Sequence, residues 1–503
     1  EYNSYVSAYI LKEKVKMNKI TEKFSHSVKR PIRVIQFGEG NFLRAFADYF
    51  IDILNEKTDF NGGIAIVKPI PFGNLDNFKA QDNLYTVILR GRKNGEVVNA
   101  ARVVTSVESV IDAKEDFEEY MSLARLDTLR FIISNTTEAG ITLDENDHFE
   151  GLPDTYPGKL TKFLYERFKA FGGDASKGLI ILPVELIDNN GRELKRCVKA
   201  LSDTWSLGED FKMWLDKANV FCSTLVDRIV TGYPRNEAVK ICGELGYEDK
   251  LVDIGEPFGL WVIESEKDIS AELPFAKAEL PVVFTDNVKP YKERKVRVLN
   301  GAHTASVLVS YLGGINIVRD MMHDRVFGKM VRQIVDSEIV PMVPLPADDV
   351  KSFADSVYER FDNPFIDHEL LSISLNSVSK WKARVLPSFK DNYKANGEIP
   401  KLLTFSFSGL LAFYRSSDLR EDGLHAKRSD GTEYVIHDNG EVLKLFAENA
   451  GKTAEEYVKA IASNSGFWGE DLTEYRGFVN AAADYLSRIE SDPRSAAEYI
   501  TEN

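Results

Sequence analysis

Clustered positive charge is the first thing this sequence does not have. Its 63 Lys and Arg are outnumbered by 78 Asp and Glu, a net charge of -15, and no basic block interrupts that balance. Partners that carry phosphate need grouped cations to offset them, so a general nucleic-acid binder or an anionic-membrane binder is excluded. Long apolar runs are missing too: no stretch of about 18 apolar residues is present to span a bilayer. The first residues do not combine a basic start, an apolar stretch and a small-residue cleavage site, so no secretory signal is read. Cysteine is scarce. Cys197, Cys222 and Cys242 are an odd number without metal-ligand spacing, which points to free thiols in a reducing compartment, with the cytoplasm as the default. The seven histidines, His26, His148, His303, His323, His368, His425 and His437, are scattered, with no H-E-x-x-H, so no zinc site and no metal are expected. Internal repeats and low-complexity tracts are absent as well.

What is present is 503 residues with 44% hydrophobic content, enough for a large core divided into two or more domains. Residue 1 is Glu and residues 1–16 precede Met17-Asn-Lys-Ile, so 1–16 read as an upstream extension. Ile32 to Phe37 is a short β-branched run that meets Gly38-Glu-Gly40 and then an amphipathic stretch from Phe42 to Leu54: strand, glycine turn, helix. Glycines at 38 and 40 permit a sharp turn and let backbone N–H groups approach a pyrophosphate at the helix N-terminus. The third glycine of the usual fingerprint is replaced by Leu43. Further β-type runs at Gly63 to Val67, Tyr85 to Leu89, Ala101 to Val104 and Phe131 to Ser134, separated in part by helical stretches such as Lys114 to Leu123, predict a mixed sheet with parallel crossovers. The second strand ends in Lys68-Pro69, without the acid that normally accepts hydrogen bonds from the adenosine ribose. Lys68 therefore leaves NAD and NADP both open. Polar strand ends follow at Ser134 to Gly140 and at Pro183 to Gly191, where Asp188 and Asn189 suit capping of a helix starting near Arg192.

From residue 295 onward the pattern becomes helical. The periodicity predicts helices over Leu299 to Leu312, Arg325 to Val335, Asp348 to Phe361 and Ile366 to Leu375, and a capping box of Asp438 and Glu441 opening another. Ser416 to Thr432 is polar and charged and reads as an exposed loop. The stretch Lys295-Val-Arg-Val-Leu-Asn300-Gly-Ala-His303 gathers an ammonium, a carboxamide and an imidazole. Asn300 and His303 stand three apart on one helix face, and Lys295 enters from the turn before it. Gly301 and Ala302 leave backbone uncovered where a ligand approaches. Reducing a ketone by hydride leaves an alkoxide, so such a site needs donors aimed at the oxygen and a group that delivers a proton. A lysine near its ordinary pKa of about 10.4 is a poor base at neutral pH, and desolvation or neighbouring cations bring such a group toward about 7 to 8.

In order along the chain, Gly38-Glu-Gly40-Asn-Phe42-Leu-Arg44, Thr137-Glu138, Asn190-Gly191, Val226-Asp-Arg-Ile229, Glu256-Pro-Phe258 with Trp261, and Lys295 through Asn300 to His303 resemble the mannitol dehydrogenase family, the long-chain polyol and hexuronate dehydrogenases. The likeness runs from about Arg33 to the C-terminus. It implies an α/β fold, with a Rossmann-like N-terminal domain over residues 17–287 and a mainly α-helical substrate domain over 288–503. It also implies a metal-independent oxidoreductase using NAD. The forms of the 134–140, 183–190 and 299–304 segments are most similar to members acting on a ketohexuronate. The implied reaction is reduction of D-tagaturonate to D-altronate, with fructuronate, then mannitol or mannitol phosphate, as alternative substrates. A nucleotide- or sugar-binding protein without turnover is disfavoured by the intact Lys295, Asn300 and His303.

The resemblance assigns Lys295 as general acid/base, Asn300 with Asn190 as the pair on the reacting oxygen, and His303 as the residue that orients the substrate. Lys380 corresponds to a substrate-contacting lysine, and Arg384, close to it in sequence, is a further candidate for the substrate carboxylate. At the cofactor it places Phe37, Gly38, Gly40, Asn41 and Phe42 in the first turn, Lys68 at the second strand end, and Thr136, Thr137 and Glu138 in the next turn. Two positions depart from the polyol members. Ser372 stands where they carry an arginine eight residues before Lys380, and Lys292 where they carry a glutamate three residues before Lys295. The expected partner is a small hexuronate, not nucleic acid or a membrane.

Overall fold

The computed structural model describes residues 17–26, 28–137 and 139–502. Residues 1–16, expected as an upstream extension, and the candidate Glu138 lie outside the described residues. The chain divides into two compact units, one running up to Arg90 and continuing over Val98–Val288, the other made of Gly91–Val97 and the chain from Lys289 onward.

The first unit is built on a six-stranded sheet. Its strands are β1 (Ile32–Phe37), β2 (Gly63–Lys68), β3 (Val107–Asp112), β4 (Phe131–Ser134), β5 (Ile180–Pro183) and β6 (Val220–Phe221). They lie in the order β3-β2-β1-β4-β5-β6 and every pairing is parallel. That order reverses direction at β1, and ligands of open sheets bind at such a switch point, beyond the carboxyl ends of the strands. Strand alternation feeds two cores. Val34, Ile64, Ile66, Phe131 and Ile133 enter one, while Ile35, Phe37, Ala65, Val67 and Ile132 enter the other. With both faces covered, each strand reads as a nearly continuous apolar run.

The expected mixed sheet is corrected in one respect. Tyr85–Lys93 and Glu96–Val104 belong to a separate four-stranded sheet. They are joined by Asn94-Gly95, whose φ angles of 55° and 79° are those of a tight hairpin turn, so the chain folds back instead of crossing over. Antiparallel pairing also appears in a three-stranded sheet, where Leu260–Glu264 runs against Ser223–Asp227 and alongside Val282–Thr285.

In the second unit the helices Gly301–Leu312 and Lys401–Tyr414 pack against each other and are buried along nearly their whole length. Helices apolar all round belong at a centre. The polar stretch expected as a loop at 416–432 instead supplies strands Asp418–Arg420 and Gly423–Lys427, and Gly423–Lys427 pairs antiparallel with Asp418–Arg420 on one side and with Glu433–Ile436 on the other. Leu424, Tyr434 and Ile436 face inward there, and the charged residues between them hide the alternation. The expected helix over 366–375 shortens to Leu370–Ile373. The helix after Asp438 forms as Gly440–Asn449, but its cap is Asn439, which accepts from the Glu441 N–H at 2.9 Å. Asp438 instead accepts from the Tyr414 hydroxyl at 2.6 Å. Among the described residues no helix is long and apolar enough to cross a membrane.

Candidate active site

In the first unit the polar turns after β1, β4 and β5 stand side by side because their strands are neighbours. Gly38 follows β1 with φ 117°, its N–H donates to the Val67 carbonyl at 3.0 Å, and a Cβ on it would lie 3.2 Å from the Asn135 carbonyl oxygen. Only glycine fits this turn without strain. Gly40 then precedes the helix that starts at Asn41, has no side-chain cap there, and would carry a Cβ into open space. Uncapped first-turn N–H groups beside an uncovered backbone fit the pyrophosphate of a dinucleotide. Phe37 contributes main chain alone: its ring is buried in the core and its carbonyl accepts from the Asn135 N–H at 3.1 Å. Asn41 is exposed, with Oδ1 accepting from Arg44, and half-buried Phe42 stacks on Phe46 at 5.1 Å.

The helix continues through a π-helical segment, Arg44–Asp48, whose polar residues point inward. Arg44 donates to the Leu251 carbonyl at 2.6 Å and lies 3.7 Å from Asp253, while Asp48 accepts from the Tyr85 hydroxyl at 2.6 Å and from Gln36 at 3.4 Å. Burial pushes Asp48 up to about 7 and Asp253 up to about 7, with Arg44 opposing both.

At the end of β2, Lys68 is not solvated. Its side chain is 3% exposed and forms an ion pair with Asp112 at 2.7 Å. The turn after β4 is anchored from β5's side. Glu185, buried and raised in pKa by that burial, accepts from the Thr136 N–H and hydroxyl, both at 2.9 Å, and from Ser134 at 3.2 Å. Thr137 follows at φ 73°, which for a β-branched residue stores roughly 1–3 kcal/mol of backbone strain.

Asn190 is 1% exposed and its carboxamide is committed within the fold. Nδ2 faces the carbonyls of Pro183, Glu185 and Thr224 at 3.0, 3.0 and 3.1 Å, and Oδ1 accepts from the N–H groups of Gly191 and Thr224 at 2.9 and 2.8 Å. Two amide hydrogens shared among three carbonyls leave none for a substrate oxygen. Asn189, expected as a side-chain cap, sits at the N-cap with φ 52° and makes no capping bond. The 226–229 and 256–258 motifs tie the fold together. Arg228 donates to Ala45 and to Phe258 at 2.6 and 2.9 Å, and Glu256 accepts from the Ile229 N–H at 2.6 Å. Among the described residues Asp147, His148 and Asp154 form a group of metal-ligand type. Asp147, however, is already spent on the N–H groups of His148, Asp154 and Thr155.

In the second unit the helix does not begin after Lys295. It runs from Lys289–Arg294 through a π-helical segment, Lys295–Asn300, into Gly301–Leu312. Lys295 is therefore a helical residue, a correction to its expected place in a preceding turn. π segments are frequent at functional sites, and their i→i+5 hydrogen bonds widen the turn so that residues five apart lie closer to one face. Gly301 does not uncover backbone for a ligand. It is buried, and a Cβ there would lie 3.1 Å from the Arg384 carbonyl, so glycine is what lets the Ser377–Arg384 helix approach.

His303 stacks on Phe361 at 4.0 Å and meets His368 edge-on at 5.4 Å. Its Nε2 is buried and has no hydrogen-bond partner among the described residues. Burial holds its pKa well below the ordinary imidazole value, and His368, Arg360, Arg384 and Lys380 add to the effect. Lys380 donates to the Ile373 carbonyl at 3.0 Å, and its pKa is lowered by burial and by Arg384, against Asp438. Arg384 reaches the Thr304 hydroxyl at 3.4 Å. A neutral imidazole with one uncommitted nitrogen, set among cations, suits a hydroxylated anion. Lys382 lies elsewhere, against Gly469, and Ser372 is exposed. Arg360 and His368 have no sequence signal: neither belongs to a motif, and they reach His303 from the end of the Ala347–Phe361 helix and from the loop before Leu370–Ile373.

Residues 32–277 match the mannitol dehydrogenase Rossmann domain and residues 287–490 the mannitol dehydrogenase C-terminal domain. The altronate oxidoreductase of Shigella flexneri is 44% identical over 467 residues, which cover 91% of this chain and 94% of that one. Among solved structures, a D-sorbitol dehydrogenase in substrate-free form superposes with a TM-score of 0.76 at 20% identity, covering 94% of this chain and 96% of that one. The Pseudomonas fluorescens mannitol 2-dehydrogenase in ternary complex with NAD and D-mannitol superposes with a TM-score of 0.62 at 18% identity, covering 95% and 96%. At those identities the structural likeness is one of fold. Both domain matches and the extent of identity with the Shigella enzyme agree: the chain belongs to the mannitol dehydrogenase family.

Proposed function

We propose that this chain is an NAD-dependent altronate oxidoreductase that reduces D-tagaturonate to D-altronate, reversibly, in hexuronate catabolism. The observation that carries the reading is the 44% identity with the Shigella flexneri altronate oxidoreductase across 91% of the chain. NAD, when bound, supplies or accepts the hydride. The main chain of Gly38, Gly40 and Asn41 would hold its pyrophosphate, with Thr136 and Thr137 in the adjoining turn. Lys295 gives a proton to the carbonyl oxygen as it becomes a hydroxyl, and takes it back in the reverse direction. Asn300 donates an N–H to the same oxygen and stabilises the charge that develops there. His303 stays neutral and offers Nε2 to a substrate hydroxyl. Lys380 and Arg384 receive the carboxylate, which must find cations when it leaves water. In this reading Asn190 holds the turn after β5 in place, through the hydrogen bonds of its carboxamide to Pro183, Glu185 and Thr224.

The test is product formation. Purified protein with NADH and tagaturonate should consume NADH and accumulate altronate, identified by chromatography, and altronate with NAD should run the reaction backward. No NADH oxidation with tagaturonate would overturn the proposal.

A further inference from the structure

The acid missing from the end of β2 is supplied by the strand beside it. β2 and β3 pair so that Lys68 lies in register with Asp112, and the side chains form an ion pair at 2.7 Å. The Lys68 ammonium also donates to the carbonyls of Phe72 and Gly73, at 3.5 and 3.3 Å. Its three hydrogens thus face three acceptors inside the protein. Asp112 is fixed in turn, since its Oδ1 accepts from the N–H groups of Lys114 and Glu115 at 3.0 and 3.3 Å. Burial would raise the Asp112 pKa, but the Lys68 hydrogen bond and those two N–H donors hold it below the ordinary carboxylate value, so it stays charged. A second carboxylate faces the same loop from the glycine turn: Glu39 Oε1 lies 3.6 Å from where a Cβ on Gly73 would be.

We propose that the Lys68–Asp112 ion pair sets the cofactor preference for NAD over NADP. Position, charge and packing act together. The end of β2 is where a sheet of this strand order meets the adenosine ribose. A lysine there would receive a 2′-phosphate if its ammonium were available. Asp112 neutralises and holds that ammonium, and the phosphate of NADP meets the carboxylates of Asp112 and Glu39 in its place. The inference rests on the dinucleotide-dependent reading given above, and goes beyond it in assigning the discrimination to a residue from a different strand.

The test is equilibrium binding of NAD and NADP to the full chain, without substrate, by calorimetry or quenching of intrinsic fluorescence. Asp112→Asn keeps the oxygen that serves the Lys114 and Glu115 N–H groups, and its amide nitrogen cannot accept from an ammonium, so the charge of Lys68 is no longer neutralised and one of its hydrogens is free for a phosphate. NADP should then bind roughly 10- to 150-fold more tightly, the range of one charge-assisted hydrogen bond, while NAD changes by less than about threefold. The double variant Lys68→Met with Asp112→Asn should lose that gain. A NADP to NAD Kd ratio that Asp112→Asn leaves unmoved, or a gain that survives in the double variant, would overturn the inference. If Asp112→Asn does not fold, the wild-type protein still decides. Salt screens carboxylate repulsion, so the Kd ratio of NADP to NAD should fall as ionic strength rises, and a flat or rising ratio contradicts the inference. Absence of binding by either nucleotide would instead defeat the dinucleotide reading itself.

Discussion

Lys295 and Asn300 are the first and last residues of one π-helical segment, closed by the Gly301 N–H reaching back five residues to the Val296 carbonyl. In an α-helix two residues five apart point about 140° away from each other. The i→i+5 closure brings them toward one face, so the proposed proton donor and the proposed oxygen ligand are aligned by backbone geometry.

That alignment makes the lysine's role testable apart from binding. Lys295→Ala should lower kcat by about 10²- to 10⁴-fold, the usual range for a lost general acid/base, and leave the Kd of NADH nearly unchanged. A variant that keeps more than half of wild-type turnover would remove Lys295 from the mechanism.

The cations around His303 predict a substrate-dependent loss. Lys380→Ala, and separately Arg384→Ala, should cut kcat/KM for tagaturonate by roughly 10- to 150-fold, and the loss for fructose, which has no carboxylate, should be smaller. Equal losses for both substrates would mean that these side chains contact a shared hydroxyl.

Gly301 predicts a packing effect on the same site. Adding a methyl group 3.1 Å from the Arg384 carbonyl forces the Ser377–Arg384 helix to move by a few tenths of an ångström. Gly301→Ala should therefore raise KM for tagaturonate with little change in the Kd of NADH. A normal KM would show that the two helices need not approach so closely.

Asp48 and Asp253, both pushed up to about 7 by burial, predict a pH dependence of stability. Between the ordinary Asp value near 4 and about 7, the folded protein binds more protons than the unfolded chain, so stability falls as pH rises through that window. For Asp48 alone, a rise from 3.8 to about 7 corresponds to on the order of 4 kcal/mol as a ceiling. Asp48→Asn should therefore raise Tm at pH 8 and lose its advantage toward pH 4. A lower Tm at pH 8 would show that the Tyr85 and Gln36 hydrogen bonds depend on the charge.

Much of the fold was legible because it is written in period and punctuation. The β1 run, its Gly38-Glu-Gly40 turn and the apolar strands that follow announce a parallel sheet, and Gly313-Gly314 marks the end of the Gly301–Leu312 helix. The π segments were not legible, since a hydrophobic repeat of 3.6 residues carries no sign of an inserted register change. The Gly423–Lys427 strand is hidden by charge, whereas the Asn94-Gly95 pair carries a hairpin signal of its own. At the site, Lys295, Asn300 and His303 stand close in sequence and read as one group. Arg360, His368 and Asp112 come from distant segments, and only the folded chain brings them to His303 or to Lys68. The commitment of Asn190 to five internal hydrogen-bond partners is likewise a property of packing that an Asn-Gly pair does not announce.

The central claim, that the chain is a tagaturonate-reducing altronate oxidoreductase, is tested most directly by kcat/KM with NADH for tagaturonate, fructuronate, fructose and fructose 6-phosphate under one set of conditions. Tagaturonate should lead fructuronate by at least about tenfold and the two substrates without a carboxylate by more, since discrimination rests on differential transition-state binding. A kcat/KM for fructuronate, fructose or fructose 6-phosphate equal to or above that for tagaturonate would contradict it.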